Sequence, residues 1–156
     1  PILSTVAEVI EEASHKVLIF APFRHTIQLL HAYLTKAGVV CECIHGDVPV
    51  HTRTNIFKRF QEDNNSLKVL IIQPQAAAHG VTLTAADTII WYAPVTSTET
   101  YLQANARIDR PGQRNAMTII HIEGSPIERK LYYMLRNNIN NHEKVVELYR
   151  KEMEET

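Results

Sequence analysis

Three polar side chains with helical spacing mark the part of the sequence best suited to chemistry. Gln103, Arg107 and Arg110 are separated by four and then three residues, so on a helix they would share one face. The proline after Arg110 disfavours helical backbone in the residue before it, so we expect the helix to end near Asp109 with Arg110 projecting from its end. Guanidinium groups arranged in this way can clamp the oxygens of a phosphate. A solvated polar face followed by a turn is the simpler alternative.

A glycine-rich phosphate loop is missing from this sequence. The five glycines form neither G-x-x-x-x-G-K-[ST] nor G-x-G-x-x-G, the patterns whose backbone N–H groups cradle phosphates. The chain therefore cannot hold a nucleoside triphosphate by itself in the usual way. An arginine that stabilises a transferring phosphoryl group can come from another domain, and it raises the rate by about 10³–10⁵. Arginines without a phosphate loop predict one half of a two-part motor.

Length and composition predict a single domain over residues 1–156. The chain is 45% hydrophobic and 21% charged, which is ordinary for a globular protein. Sixteen basic against seventeen acidic residues give a net charge of −1, which argues against binding nucleic acid by bulk charge alone. Two cysteines make no disulfide framework, and no apolar run approaches the ~18 residues of a membrane span. We expect a soluble intracellular domain, monomeric in isolation, that belongs to a longer protein.

The elements that must position the arginines alternate between strands and helices. Five apolar runs rich in Ile and Val are typical of parallel strands buried on both faces, and they cover residues 16–22, 39–44, 68–74, 88–94 and 117–124. Amphipathic patterns predict helices over residues 25–38, 49–63, 125–139 and 142–156. The third of these starts with a capping box from Ser125 to Glu128. The alternation predicts a three-layer α/β fold with a mostly parallel central sheet flanked by helices.

Four segments of the chain, in order, look like the motifs of one protein family. KVLIFAPFRHTIQLLHAYL resembles its fourth motif, and IHGDVPVHTRTNIFKRFQ is similar to the H-G-D…R…F segment that follows it. AAAHGVTLTAADTIIWYAP resembles the fifth motif, and QANARIDRPGQ matches the sixth motif in its Snf2 form, Gln-x-x-x-Arg-x-x-Arg-x-Gly-Gln. The chain thus resembles the second RecA-like domain of superfamily 2 helicases and translocases, of the Snf2 type, over nearly its whole length.

The resemblance implies a role for each matched polar residue in an ATP site. Arg107 and Arg110 would be arginine fingers that reach the phosphates of ATP, which a first RecA-like domain would mainly hold together with Mg²⁺. Gln103 would lie near the γ-phosphate. Gly80 would let the backbone of the fifth motif pass close to the nucleotide, and Asp87 would anchor that loop. The isolated chain is then expected to hydrolyse ATP only at background rates.

Loops that follow the strands are implied to contact nucleic acid. In relatives, the loops that carry Arg24, His25, Gln75 and His79 face the nucleic-acid backbone, where side chains and N–H groups contact phosphates. The Snf2-type sixth motif favours duplex DNA that is tracked without separation of its strands. The implied partners are DNA and the N-terminal RecA-like domain of the same protein.

Three departures from the family pattern bear on these roles. Thr82 stands where relatives commonly have Asn or Asp, QPQAAA at residues 73–78 replaces a Ser/Thr-containing opening of the fifth motif, and Pro111 replaces an aliphatic residue. The long insertions of eukaryotic chromatin remodellers are absent. We therefore expect a compact cytoplasmic translocase of bacterial or phage type, or a nuclear one if the source is eukaryotic.

Other functions and other polar residues leave alternatives open. A RecA-like fold can also serve as a non-catalytic module that binds nucleic acid or protein, whereas a free-standing nucleotide-binding enzyme is disfavoured by the missing phosphate loop. Cys41 and Cys43 have no partner pair with zinc-ligand spacing, so we predict buried thiols and no metal site. Arg53 is either a charge on a helix surface or a brace for the turn at residues 45–47. Arg114 is predicted to be solvated.

Overall fold

A parallel sheet of six strands runs through the centre of the molecule. The computed structural model describes residues 2–77 and 80–137 and the backbone of residues 144–149. The strands in chain order are β1 Lys16–Phe20, β2 Cys41–Ile44, β3 Val69–Ile72, β4 Ala86–Trp91, β5 Thr118–Glu123 and β6 Lys144–Tyr149. They hydrogen-bond in the order β2-β3-β1-β4-β5-β6, and every neighbouring pair is parallel. The five predicted strands and their parallel arrangement are confirmed.

The sixth strand shows that the predicted C-terminal helix is wrong where the structure describes it. Residues 144–149 pair in parallel with Thr118–Glu123, and the rest of the predicted helix, which spans residues 142–156, lies outside the described residues. Without residues 144–149, the edge of β5 that faces away from β4 would present a row of unpaired backbone N–H and C=O groups. A segment with two valines and a tyrosine suits extended pairing there. This long-range pairing outweighs the helical charge spacing that suggested a helix.

Among the described residues, one helix precedes the first strand, and four helices and one 3₁₀ turn lie between strands. They are α1 Ile2–Glu12, α2 Arg24–Lys36, α3 Val50–Gln61, α4 Thr98–Asn105, α5 Pro126–Arg136 and the 3₁₀ turn Pro74–Ala77. The predicted cap of α5 is formed, because Ser125 Oγ accepts a hydrogen bond from the N–H of Glu128. The carboxylate of Glu128 in turn accepts from the N–H of Gly124, one residue earlier than a capping box requires.

The helices cover both faces of the sheet and bury two separate cores. Helices α1 and α2 pack on one face, where Val6 and Leu30 lie in a cluster with Ile19 of β1. Helices α3, α4 and α5 pack on the other face, where Phe60 and Tyr101 are buried. Because both faces of the strands are covered, their side chains are apolar in nearly continuous runs. The three-layer α/β fold is confirmed. Among the described residues, no helix has the length and apolarity needed to cross a membrane.

Helix α4 is shorter than predicted, which changes how the arginines are presented. It ends at Asn105 rather than near Asp109, so Gln103 is helical while Arg107 and Arg110 lie in the turns that follow. The prediction that all three share one helical face is therefore wrong. After the helix the backbone tightens into hydrogen bonds between residues three apart, and the carbonyl of Arg107 is then bonded by the loop that precedes β4.

Candidate functional site

Two stretches of chain come together at the C-terminal end of α4. We call residues 106–113 the arginine segment and residues 80–85 the Gly80 loop. The N–H of Leu83 donates a 2.8 Å hydrogen bond to the carbonyl of Arg107. Gln113 Nε2 donates to the carbonyls of Ala86 and Ile108, both at 2.8 Å. The bond from Leu83 joins the arginine segment to the Gly80 loop, and the bond from Gln113 to Ala86 joins the same segment to the start of β4.

Arg107 is a buried cation with an unpartnered nitrogen. Its residue is 6% exposed, and its Nε donates a 2.7 Å hydrogen bond to the carbonyl of Gln103. One terminal nitrogen, NH1, is buried and has no hydrogen-bond partner within the part of the chain that the structure describes. A β-carbon placed on Gly80 would lie 3.6 Å from that nitrogen, so the glycine keeps the space beside it open. Burial lowers the pKa of Arg107, and the nearby charge of Arg110 lowers it further.

Arg110 lies on the Gly80 loop. Its NH1 donates to the carbonyl of Gly80 at 2.7 Å and to Thr82 Oγ1 at 3.0 Å. Gly80 has a φ of +82°, in the left-handed region that favours glycine. Thr82, which departs from the family pattern, thus supplies an acceptor for the second arginine. Sequence reasoning missed this contact, since nothing in the spacing relates residues so far apart.

The remaining residues predicted for the ATP site are placed differently. Gln103 contributes its backbone carbonyl to Arg107, while its side chain donates to Glu99 at 3.1 Å. Asp87 pairs with His15 Nδ1 at 2.7 Å and accepts from Thr88 Oγ1 at 3.1 Å, and neither of these partners belongs to the loop that it was expected to anchor. The structure therefore brings together Gly80, Arg107 and Arg110. Gln103 contacts this group through its backbone carbonyl, and Asp87 is bonded to His15 instead.

A glutamine outside the fifth motif performs the anchoring that was predicted for Asp87. Gln61, the last residue of α3, donates from Nε2 to Thr84 Oγ1 at 3.1 Å and accepts from the N–H of Ala85 at 2.7 Å. These bonds fix the end of the Gly80 loop where it enters β4. No sequence signal pointed to Gln61, because its partners are more than twenty residues away in the chain.

Three of the four residues predicted to contact nucleic acid, Arg24, His25 and Gln75, lie near the carboxyl ends of β1 and β3. Arg24 forms an ion pair with Asp47, and His25 stacks on Phe23 with ring centroids 5.9 Å apart. Phe23 is 60% exposed, which the sequence analysis did not single out. Gln75 lies on the 3₁₀ turn and, with Phe23, lines a cavity of about 370 Å³. His79 lies outside the described residues.

The structure also places the residues for which the sequence suggested a structural role rather than a catalytic one. Arg53 braces the turn at residues 45–47, with donors to the carbonyls of Val48 and Gly46 at 2.9 and 3.3 Å. Arg114 is 81% exposed and 3.9 Å from an equally exposed Asp63, so it is solvated as predicted. Cys43 is half-buried, and burial raises the pKa of its thiol to about 12. Among the described residues, no group of three His, Cys, Asp or Glu side chains is placed to hold a metal ion.

Comparison with known proteins identifies the family. The model of the family described as "Helicase conserved C-terminal domain" matches residues 2–112, more than half of the chain. The CHD3-type chromatin-remodeling factor CHR7 of Arabidopsis thaliana is 30% identical over 131 residues, which cover 83% of this chain and 11% of that protein. The CHD3-type chromatin-remodeling factor PICKLE of the same plant is 31% identical over 144 residues, which cover 92% of this chain and 10% of that protein.

The fold is also found among solved structures. The C-terminal part of the Fun30 ATPase domain superposes with a TM-score of 0.77 at 22% identity, covering 88% of this chain and 46% of that one. The chain spans about a tenth of the length of the two plant relatives. Those relatives are eukaryotic chromatin-remodelling factors, and they give no support to the expected bacterial or phage-type source. The chain belongs to the helicase conserved C-terminal domain family, and within it this is a RecA-like domain of the Snf2 type.

Proposed function

We propose that this chain is the C-terminal half of an ATP-dependent, Snf2-type DNA translocase. In this proposal Arg107 and Arg110 are the arginine fingers of an ATP site that is shared with an N-terminal RecA-like domain of the same protein. The observation that carries the proposal is the buried guanidinium of Arg107, whose NH1 lies beside Gly80 without a hydrogen-bond partner among the described residues and which has a second guanidinium nearby.

The electrostatics of this site favour an anion. A guanidinium stays charged at any ordinary pH, and burying it without a counter-charge is costly. Within the described residues, neither Arg107 nor Arg110 forms an ion pair. A phosphate oxygen beside Gly80 would accept from the free NH1 of Arg107 and lower that cost.

ATP with Mg²⁺ fits this arrangement if another domain holds most of it. ATP would supply the phosphoryl group whose charge spreads over its oxygens during transfer. Arg107 would donate to those oxygens, and Gln103 would hold the Arg107 side chain through Nε. Arg110 would keep the Gly80 loop in place. In this proposal the N-terminal domain would hold the Mg²⁺ ion.

Contact with DNA is proposed for the surface near the carboxyl ends of β1 and β3. Arg24, His25 and Gln75 are exposed there and can donate to backbone phosphates. The net charge of −1 means that such contacts would be local. The chromatin-remodelling relatives favour double-stranded DNA as the track, and a nuclear location.

The test is DNA-stimulated ATPase activity of the protein that contains this chain together with its N-terminal domain. Arg107→Ala should lower turnover by about a thousandfold with ATP binding retained. Arg114→Ala is the matched control, because it removes an exposed arginine from the same stretch and should leave turnover unchanged. If Arg107→Ala and Arg110→Ala both hydrolyse ATP like the wild type, the arginines belong to a non-catalytic binding module instead.

A further inference from the structure

Helix α4 is attached to the sheet by two hydrogen bonds from one of its faces. Tyr101 and Asn105 are one turn apart, so their side chains lie on the same side of the helix. Asn105 Oδ1 accepts from Trp91 Nε1 of β4 at 2.9 Å, and Tyr101 OH bonds His121 Nε2 of β5 at 2.7 Å. All four residues are buried. The helix therefore has a fixed position along the sheet as well as a fixed face.

Trp91 is a rigid anchor for this attachment. Its ring lies 4.7 Å from that of Phe20 and 5.0 Å from that of Tyr101, measured between centroids. Its backbone carbonyl accepts from the hydroxyl of Tyr132 on α5 at 3.1 Å. Because an indole nitrogen can only donate, the carbonyl oxygen of the Asn105 amide must be the atom that faces it.

Asn105 is an unfavourable choice if stability is its only role. Its residue is 4% exposed, and its amide nitrogen has no hydrogen-bond partner among the described residues. An unpaired buried donor destabilises the fold, so the amide is costly where it lies. Stability alone therefore gives no reason for an amide at this position. Asn105 is the last residue of α4, and Arg107 follows two residues later.

Helix α4 cannot hold its own end in place. It has eight residues, and isolated helices of that length are marginal in water. The guanidinium of Arg107 is suspended from this end, because its Nε bonds the carbonyl of Gln103 in the last turn. Movement of that turn would therefore move the guanidinium directly.

We propose that Asn105 is a positioning residue, which sets the place of the Arg107 guanidinium through its hydrogen bond to Trp91. The inference rests on the proposed function, since it assigns Arg107 a phosphoryl group to reach. Asn105 itself touches neither nucleotide nor DNA in this proposal. A displacement of about 1 Å at a catalytic group can lower the rate by roughly a hundredfold, so a small shift of the helix end is sufficient.

The test uses Asn105→Leu in the protein that contains this chain and its N-terminal domain. Leucine fills a similar volume but cannot accept from the indole. We expect kcat for DNA-stimulated ATP hydrolysis to fall by about 10- to 100-fold, with the KM for ATP unchanged. In this chain alone, where Trp91 is the single tryptophan, a shift in its emission would verify that the hydrogen bond is lost.

Tyr132→Phe is the matched control. It also removes one buried hydrogen bond to Trp91, but that bond comes from α5 and leaves α4 attached. We expect both variants to lose stability in urea, and only Asn105→Leu to lose turnover. Equal turnover in the two variants, or a raised KM with kcat unchanged, would overturn the positioning role.

Arg107→Ala, measured alongside, separates the two proposals. If Arg107→Ala loses turnover and Asn105→Leu does not, the positioning role is wrong and the arginine finger stands. If Arg107→Ala retains turnover, Asn105 has no catalytic group to position and the positioning role is wrong; if Arg110→Ala retains turnover as well, the proposed function itself is wrong.

Discussion

Replacement of Arg107 by methionine should stabilise the isolated chain while it abolishes ATP turnover in the intact protein. Arg107 is 6% exposed, has no ion-pair partner among the described residues and lies near a second guanidinium. A buried cation without a counter-charge destabilises the fold, and an apolar side chain of similar length would remove that cost. Arg107→Met therefore exchanges function for stability.

The magnitude follows from two opposing contributions. Burial of an unpaired ion costs several kcal/mol even after the protein relaxes around it. Methionine removes that cost but loses the 2.7 Å hydrogen bond from Nε to Gln103, and a bond to a charged donor contributes about 1.5–3 kcal/mol. The net gain is therefore about 1–3 kcal/mol. For a chain of this size, each 1 kcal/mol raises Tm by about 2–4 °C.

Urea unfolding followed by the fluorescence of Trp91 measures this directly, because Trp91 is the only tryptophan of the chain and is fully buried. Pyrophosphate at constant ionic strength provides a second readout. It should raise the Tm of the wild type, since a ligand that binds the native state stabilises it, and leave Arg107→Met unaffected. Arg114→Met is the control, since an exposed arginine should change stability by less than about 0.5 kcal/mol.

One result would refute the reasoning. If Arg107→Met lowers the free energy of unfolding by 1 kcal/mol or more, the guanidinium must be a net structural contributor. The free NH1 would then be no argument for a phosphate site. A loss of that size in Arg114→Met as well would instead indicate that methionine disturbs the whole segment.

Three further predictions concern the surroundings of the site. Gly80→Ala should cost about 1–3 kcal/mol of stability in urea, because φ is +82°, a backbone conformation that strains any residue with a β-carbon; the new β-carbon would lie at ordinary contact distance, 3.6 Å, from Arg107 NH1. Gln61→Ala should cost about 1–2 kcal/mol by losing both hydrogen bonds to the Gly80 loop, whereas Gln28→Ala on the exposed side of α2 should be neutral. Burial lowers the pKa of His121 from 6.5 to about 3. Between these pH values the imidazole is protonated in the unfolded chain and neutral in the folded chain. Stability should therefore fall as pH drops from 6.5 towards 3, by up to about 1.4 kcal/mol per pH unit, and His121→Gln should reduce that slope in pH-dependent urea titrations.

The sheet and most helices could be predicted from the sequence because their causes are local. Strands buried on both faces need apolar side chains at every position, and β1 and β3 consist almost entirely of such residues. The start of α5 could be predicted from Ser125 and Glu128, whose interaction spans one helical turn. The arginines themselves were recognised from their types and spacing, which are properties of a few adjacent residues.

The elements that were predicted wrongly depend on partners far along the chain. Residues 144–149 carry a charge pattern compatible with a helix, and only the free side of β5 makes them a strand. Helix α4 stops at Asn105 because the backbone after it bonds to the Gly80 loop instead. Local propensity is a fraction of a kcal/mol per residue, so such long-range bonds readily override it.

Within the candidate site, the sequence by itself determined which groups carry charge, and the tertiary structure decided what those charges can reach. Nothing in the spacing shows that Arg107 is buried and Arg110 bonded to Thr82, or that Gln61 and not Asp87 holds the Gly80 loop. These outcomes follow from the packing of α3 and α4 on one face of the sheet. Hydrogen bonds act over about 3 Å, so their partners are known only when the chain has brought distant residues that close.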